Sequence, residues 1–541
     1  MSAVVTDQFR ISNAGNFVDS VLDTNNNYYV FLGLSNPTTP NPGFGRTSTW
    51  NTTPPDPIDN LNNEWNYGST SLFGKRINSG NVRRVVRKVS WVTNTAYDMY
   101  RQDYSINNKA PVSQTARLYD ANYYVVNSDY NVYICIDNGS SGSTTTIPTS
   151  KDEPTFTDLE PSAAGSSGDG YIWKYLYTIS PSDIIKFDST EYIVVPNDWS
   201  TSTNSVVQSV REAADSTVNF NQIKTVYIKN GGGSYTVTTT ESGPHVCNII
   251  GDGSGGKVSV TVAAGTGAIT DVTVIAGGSG YTYGMVDLGG IQSGALAAST
   301  PAELVVIIPP SRGHGYDIYK DLGADRVLVY ARFDDSTKDF PIDTKFAQVG
   351  IVKNPATFSS LNTNYSGSEY SGLYSIKFDP DTVESSWSGK VPNVGSKITQ
   401  VRASDSKIAK CYVASWDKTT SVLKYYQDRS LYYNQTTANQ VDYDFGVTDE
   451  ASVTPFDPTG GAITFYSGTP TTPSAISLDN TFTGRTVTIG SNQIDLGVYF
   501  TSGLADPEIN KTTGDILYID NREEITRNLR QKEDIKIILE F

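Results

Sequence analysis

The chain has 541 residues, 38% hydrophobic, 18% charged and 11% aromatic, with a formal net charge of −16 and a pI near 4.7. Its length suggests roughly three to four domains, and its acidity argues against general nucleic-acid binding, which needs clustered Lys and Arg to displace phosphate counterions. The 34 Tyr and 46 Gly, set against 2 His, 3 Met and 3 Cys, favour strands and turns over helices, so the expected fold is mainly β, α+β with few short helices.

The N-terminus lacks a basic stretch followed by an apolar run, and no segment is long and apolar enough for a membrane span. Asn16 to Leu22 predicts a short helix and Tyr28 to Leu34 a buried strand. The prolines of residues 37–60 then forbid regular structure. Val82 to Val92 reads as strands or short helices and carries the densest basic cluster, Arg83, Arg84, Arg87 and Lys88. A salt-bridged face, a phosphate patch and a dock for an acidic partner are the three readings of that cluster. Val132 to Ile136 is a further element, and Gly139 to Thr146 has no apolar side chain to bury, so it reads as a loop.

Tyr171, Trp173, Tyr175, Tyr177 and Ile179 alternate and would share one face of a strand. Such a stripe fits core or an intersubunit contact better than a sugar platform, and the Trp173 indole N–H needs an acceptor if it is buried. Tyr171, Trp173, Tyr175, Tyr177, Arg83 and Arg84 are therefore the interface or core candidates.

Residues 225–308 contain a repeat. Val226 to Thr236 aligns with Val272 to Thr282 at an offset of 46 residues. Each copy has an apolar strand, a glycine turn suited to positive φ, a Tyr, and a later strand, Val258 to Val262 or Leu304 to Ile308. Two copies are too few for a free-standing solenoid, which points to a small inserted β module. Asp317 to Leu322 reads as a short helix ended by Gly323, and Asp325 to Phe333 as a strand. A second polar β segment follows, with strands expected at Lys397 to Val401, Ala409 to Ser415, Ser421 to Tyr426 and Leu496 to Phe500. At the end, Ile535, Ile537, Leu539 and Phe541 alternate with Lys536, Ile538 and Glu540, the pattern of a strand paired within a sheet. The expected layout is a core from 1–215, 311–355 and 506–541, with inserted β domains at 216–310 and 356–505.

Chemistry-bearing motifs are weak. Cys135, Cys247 and Cys411 lie far apart, so neither a disulfide framework nor a zinc site is indicated. Gly231-Gly232-Gly233 has no following helix or Lys-Ser/Thr to bind phosphate, and reads as a hairpin turn. His245 and His314 are the only histidines and no GxSxG elbow accompanies them; His314, within Gly313-His314-Gly315, reads as a turn residue with a structural or assembly role. Carboxylate-based glycan hydrolysis needs two Asp or Glu, and the candidates Asp334, Asp335, Asp379, Asp381 and Glu384 all sit in turn-like contexts that favour a solvated surface. Asp252-Gly253-Ser254-Gly255 and Asp379-Pro380-Asp381 lack the bidentate Glu of a calcium loop. No catalytic, cofactor-binding or metal-binding residues are expected.

FVDSV…YYVFLGLSNP, VYICIDN, GDGYIWKYLYTI, EYIVVP, GHGYDIYKDLGADRVLVYARF and the closing GDILYIDNREEITR…EDIKIILEF resemble the gene product eight family of baseplate wedge proteins of T-even-type contractile-tailed bacteriophages. These segments cover about half the chain, within 1–200, 310–355 and 510–541, and the two inserts depart from the family pattern. The resemblance implies a non-enzymatic virion component, assembled in the host cytoplasm and placed in the tail baseplate. It implies a homodimer that bridges neighbouring wedge subunits, contacts other baseplate wedge and tail proteins, and holds the baseplate before sheath contraction. No cofactor, nucleic-acid or membrane partner is expected. The alternatives are a receptor-binding or fibre-type tail protein recognising host glycans through the inserts, and a tail-associated glycan hydrolase.

Overall fold

The computed structural model describes residues 5–33, 50–54, 56–57, 71–140, 147–215, 220–235, 244–289, 291, 300–334, 344–379, 392, 397–404, 406, 408–426, 433–434, 439–440, 456–460, 462–465, 474–528 and 531–541. Most of the proline-rich loop, residues 141–146 of the glycine-serine loop, Asp335, Asp381 and Glu384 lie outside the described residues. The fold is mainly β, with four α-helices among the described residues. Contacts divide it into two compact units, Met1–Val18, Arg83–Leu328 and Ile538–Phe541 in the first, Asp19–Val82 and Val329–Ile537 in the second.

In the first unit the centre is a four-stranded sheet with the order Tyr124–Val126, Asn131–Asn138, Tyr171–Thr178, Ser162–Ala163. Tyr133 opposes Tyr175 and Cys135 opposes Trp173, and bulges on either side of this register shift the strand path. The middle strands are buried on both faces, as the runs YICI and WKYLY require. Val82–Arg87 is the strand expected within Val82 to Val92, and it pairs antiparallel with Tyr192–Val195.

Two further helices belong to this unit. Pro181–Phe187 has Ser180 as its N-cap, accepting from the Asp183 N–H, with Pro at its start; Ser205–Asp215 is the other. The helix at Ile318–Leu322 is as expected. Asp317 caps its N-terminus and Gly323 closes it in the left-handed region at φ 69°. The N-terminal helix is longer than expected, Asp7–Leu22.

The strand Glu533–Glu540 lies beside Arg326–Phe333 in a four-stranded sheet. Ile537 is buried and Ile535, Leu539 and Phe541 are half-buried, while Lys536, Ile538 and Glu540 are exposed, so the alternation has the expected sense. Phe541 is held by its N–H on Asp325 O at 3.2 Å, by Arg10 Nη1 on its own carbonyl at 3.2 Å, and by the Phe17 ring at 5.6 Å.

The repeat is a structural one. Val226–Asn230 pairs with Glu303–Val306, and Ile269–Ser279 with Ser254–Val262. The two ladders have equivalent register: Val226↔Val306 matches Val272↔Val260, and a bulge falls at Glu303/Leu304 in one and at Lys257/Val258 in the other. Each copy's first strand therefore pairs with the other copy's last strand. This corrects the hairpin reading of Gly231-Gly232-Gly233, whose preceding strand is closed by a segment some seventy residues away. The glycine turns cross reciprocally, Ile223 N–H to Gly277 O at 3.1 Å and Ile269 N–H to Gly231 O at 2.8 Å. Gly232 and Gly278 share the left-handed region at φ 65° and 62°, as do Ser234 and Gly280 at 65° and 79°. Buried Tyr235 and Tyr281 are equivalent latches: each phenol oxygen accepts a backbone N–H, from Ala302 at 2.8 Å and from Gly256 at 3.0 Å. Tyr281 also donates to Ile249 O at 3.1 Å. Tyr281→Phe is therefore expected to lower stability by about 1–3 kcal/mol, and Tyr235→Phe by less, in urea titrations followed by circular dichroism. The reverse order would show that the second phenol bond contributes nothing.

In the second unit, a five-stranded sheet has the order Glu369–Ser371, Ser71–Ile77, Tyr28–Gly33, Lys345–Lys353, Asp515–Thr526. A seven-stranded sheet contains the expected strands Lys397–Val401, Ile408–Asp417 and Val422–Tyr426 over a core including Ile376, Ile398, Val413, Leu423 and Ile463. Asn492–Phe500 pairs separately with Gly484–Ile489.

Candidate functional site

The aromatic strand Tyr171–Thr178 brings Tyr171, Trp173, Tyr175 and Tyr177 into the interior of the first unit, each no more than 2% exposed. Tyr171 stacks on Trp173 with ring centroids 5.6 Å apart and 14° between planes, and Tyr97 meets Trp173 edge-on at 5.8 Å. Three of the phenols are anchored. Tyr171 Oη donates to Pro148 O at 2.8 Å and accepts the Tyr97 N–H at 2.9 Å; Tyr177 Oη donates to Val194 O at 2.8 Å; Tyr175 Oη bonds Thr178 Oγ1 at 2.8 Å. Burial raises the pKa of all three, so they remain neutral donors at physiological pH. The Trp173 Nε1–H is buried without a hydrogen-bond partner.

Lys174 lies on the same strand, 4% exposed, with Nζ donating to Leu159 O at 2.6 Å. Burial lowers its pKa from the ordinary 10.5 to about 8, against a smaller upward pull from Glu160. Below about pH 8 folded and unfolded chains both carry the proton, and the burial penalty is present in full. Between about 8 and 10 the unfolded chain binds more protons, so this group makes stability rise with pH. Comparing wild type with Lys174→Met by urea titration across that window is expected to remove the rise. Parallel curves would contradict the assignment.

The basic cluster is divided among separate partners. Arg83 Nε donates to Asp183 Oδ1 at 3.0 Å, and its guanidinium lies 5.3 Å from the Phe187 ring centroid. Arg84, 9% exposed, places its guanidinium 3.7 Å over the Tyr319 ring. A Cβ on Gly15 would come within 2.9 Å of Arg84 Nη2, so the guanidinium packs closely against the helix Asp7–Leu22. Arg87 Nη2 bonds the carbonyls of Asp120 and Ala121, each at 3.1 Å, and Lys88 Nζ pairs with Asp188 at 2.9 Å. Arg83 and Lys88 are thus salt-bridged, while Arg84 rests on an aromatic ring and Arg87 on backbone carbonyls. The Arg83 and Lys88 pairs bind this stretch to residues a hundred positions later.

The sequence missed one polar group. His314 Nδ1 sits 2.8 Å from Asp321 Oδ1, and Asp321 Oδ2 accepts the Gly315 N–H at 2.7 Å. Asp321 is fully buried and the Tyr100 ring meets His314 edge-on at 4.4 Å. An aspartate on the inner side of a five-residue helix, seven positions after a histidine between glycines, was the available signal. The geometry locks a turn onto a helix.

Asp252 is occupied within its own loop, accepting from the Thr282 hydroxyl and from the Thr282 and Tyr283 N–H groups at 2.9 and 3.2 Å, and these bonds, the hydroxyl's first, lower its pKa to about 2. Among the described residues no group of three or more His, Cys, Asp or Glu could hold a metal ion, and no helix is long and apolar enough to cross a membrane. The three thiols are buried and free.

Comparison with known proteins falls on this region. The family described as Bacteriophage T4, Gp8 matches residues 139–234, a segment that includes the aromatic strand. The chain is also 25% identical over 221 residues to the baseplate wedge protein gp8 of Enterobacteria phage T4, a match covering 36% of this chain and 60% of that protein. The likeness to the Gp8 family of bacteriophage T4 thus spans part of this chain and less than two thirds of the relative's own length.

Proposed function

We propose that the chain is a structural component of a phage tail baseplate wedge, bridging neighbouring wedge subunits and holding the baseplate before sheath contraction. The single observation that carries this reading is the family match over residues 139–234, a segment that holds the aromatic strand Tyr171–Thr178. The chemistry is consistent with it. Aromatic side chains packed in the interior and basic residues tied to internal acids make a stiff scaffold whose outer surfaces are left for neighbours. On this reading no residue is catalytic, the protein is a homodimer in the virion, and 216–310 and 356–505 are insertions into a core closed by both chain ends.

Purified tails analysed by mass spectrometry and electron microscopy test the proposal. The chain should be present and its density should lie in the baseplate wedges; particles that lack it but retain an intact baseplate would overturn the assignment. Light scattering on the purified protein at micromolar concentration tests the dimer separately. A single monomeric species would remove that element and leave the wedge assignment standing.

A further inference from the structure

The strands His245–Gly251 and Gly284–Val286 of the repeat module present an outer face that the module's own core does not use. Cys247, Ile249 and Val286 point inward into that core, while Val246, Ile250 and Met285 point outward, 62%, 53% and 63% exposed. Ile250 and Met285 are direct cross-strand neighbours, and Tyr283, two residues before Met285, is 63% exposed. Isolated apolar side chains are ordinary on a surface, but a cluster such as Ile250, Met285 and Tyr283 marks a contact site. Methionine adds an adaptable surface for a partner's side chain.

Two carboxylates frame the group. Asp252 is fixed beside Tyr283 by the Thr282 and Tyr283 N–H groups and stays ionised throughout the physiological range. Asp287 continues the register past Met285, its N–H on Asn248 O at 2.9 Å, which puts its exposed side chain on the same face. Lys257, opposite Asn248, is the cation on the neighbouring strand. Tyr283, Ile250 and Met285 thus lie between the two carboxylates, with Val246 beyond Asn248, and this arrangement is complementary to an apolar anchor flanked by Lys or Arg.

We propose that Ile250, Tyr283 and Met285, framed by Asp252 and Asp287, form a docking face for a partner protein segment that carries an apolar core between basic residues. The apolar strip supplies affinity through area removed from water, and the two carboxylates supply orientation and on-rate. The site goes beyond the wedge assignment, and its test needs no assembled tail.

The probe is a short fluorescent peptide with a Leu-Trp-Leu core and lysines at both ends, titrated against the full chain by fluorescence polarisation, with a glutamate-ended analogue as the control. The basic peptide should bind at least about tenfold more tightly than the acidic one, a difference of about 1.4 kcal/mol. Binding should weaken with salt. Met285→Asp should lose the basic peptide, and the double change Asp252→Asn with Asp287→Asn should erase the preference while keeping residual binding. Circular dichroism on each variant confirms the fold. Equal binding of the two peptides, or binding unchanged in Met285→Asp, overturns the proposal. So does a wild-type dimer that Met285→Asp converts to monomer, because the occupant is then a second copy of this chain.

Discussion

Trp173→Ala is expected to lower the stability of the first unit by about 3–5 kcal/mol, the range for deleting a large aromatic side chain from a packed interior. Trp173 is fully buried, stacked on Tyr171, met edge-on by Tyr97, and opposite Cys135 on the next strand. Those neighbours are themselves anchored, Tyr171 at both its donor and its acceptor, so the cavity left by alanine collapses poorly. Trp173→Phe separates packing from the indole. The wild-type Nε1–H is already buried without a partner, so removing it lifts a desolvation penalty that partly offsets the smaller ring. The phenylalanine variant should therefore lose much less than the alanine one. Urea titration followed by circular dichroism measures both. A loss below about 1 kcal/mol for Trp173→Ala would mean that the ring contributes little to the core and is available to a partner.

The same strand shows what a sequence reveals about such a fold. Alternating aromatics placed Tyr171–Thr178 correctly, and period two set the sense of the closing strand. Periodicity reports which way a side chain points but carries no information about the strand next to it. Gly231-Gly232-Gly233 accordingly suggested a local hairpin, when the chain closes its first repeat copy with Glu303–Val306. The repeat itself was legible from the 46-residue offset; the exchange of last strands between its copies was not. Arg83 and Lys88 stood out as a charge cluster, yet their partners Asp183 and Asp188 follow a hundred residues later, beyond the reach of a local pattern. Pro181–Phe187 was a different kind of miss, since Ser180 followed by Pro and Asp183 is a readable helix start.

Asp321→Ala should have an effect of similar size, about 3–5 kcal/mol, for an electrostatic reason. Asp321 is fully buried and its two oxygens are taken by His314 Nδ1 and the Gly315 N–H. Alanine leaves an imidazole and a backbone N–H in the interior with no acceptor, next to Tyr100 and Tyr123, whose phenols burial also holds in the neutral form. Asp321→Asn keeps the volume and one carbonyl acceptor, so its loss should be nearer about 1–3 kcal/mol. The decisive measurement is a double-mutant cycle with His314→Phe. If the pair acts as one unit, the alanine change costs much less once the imidazole is gone, because only the Gly315 N–H then lacks an acceptor. Strict additivity of the two single losses would show that the carboxylate acts through the loop backbone alone.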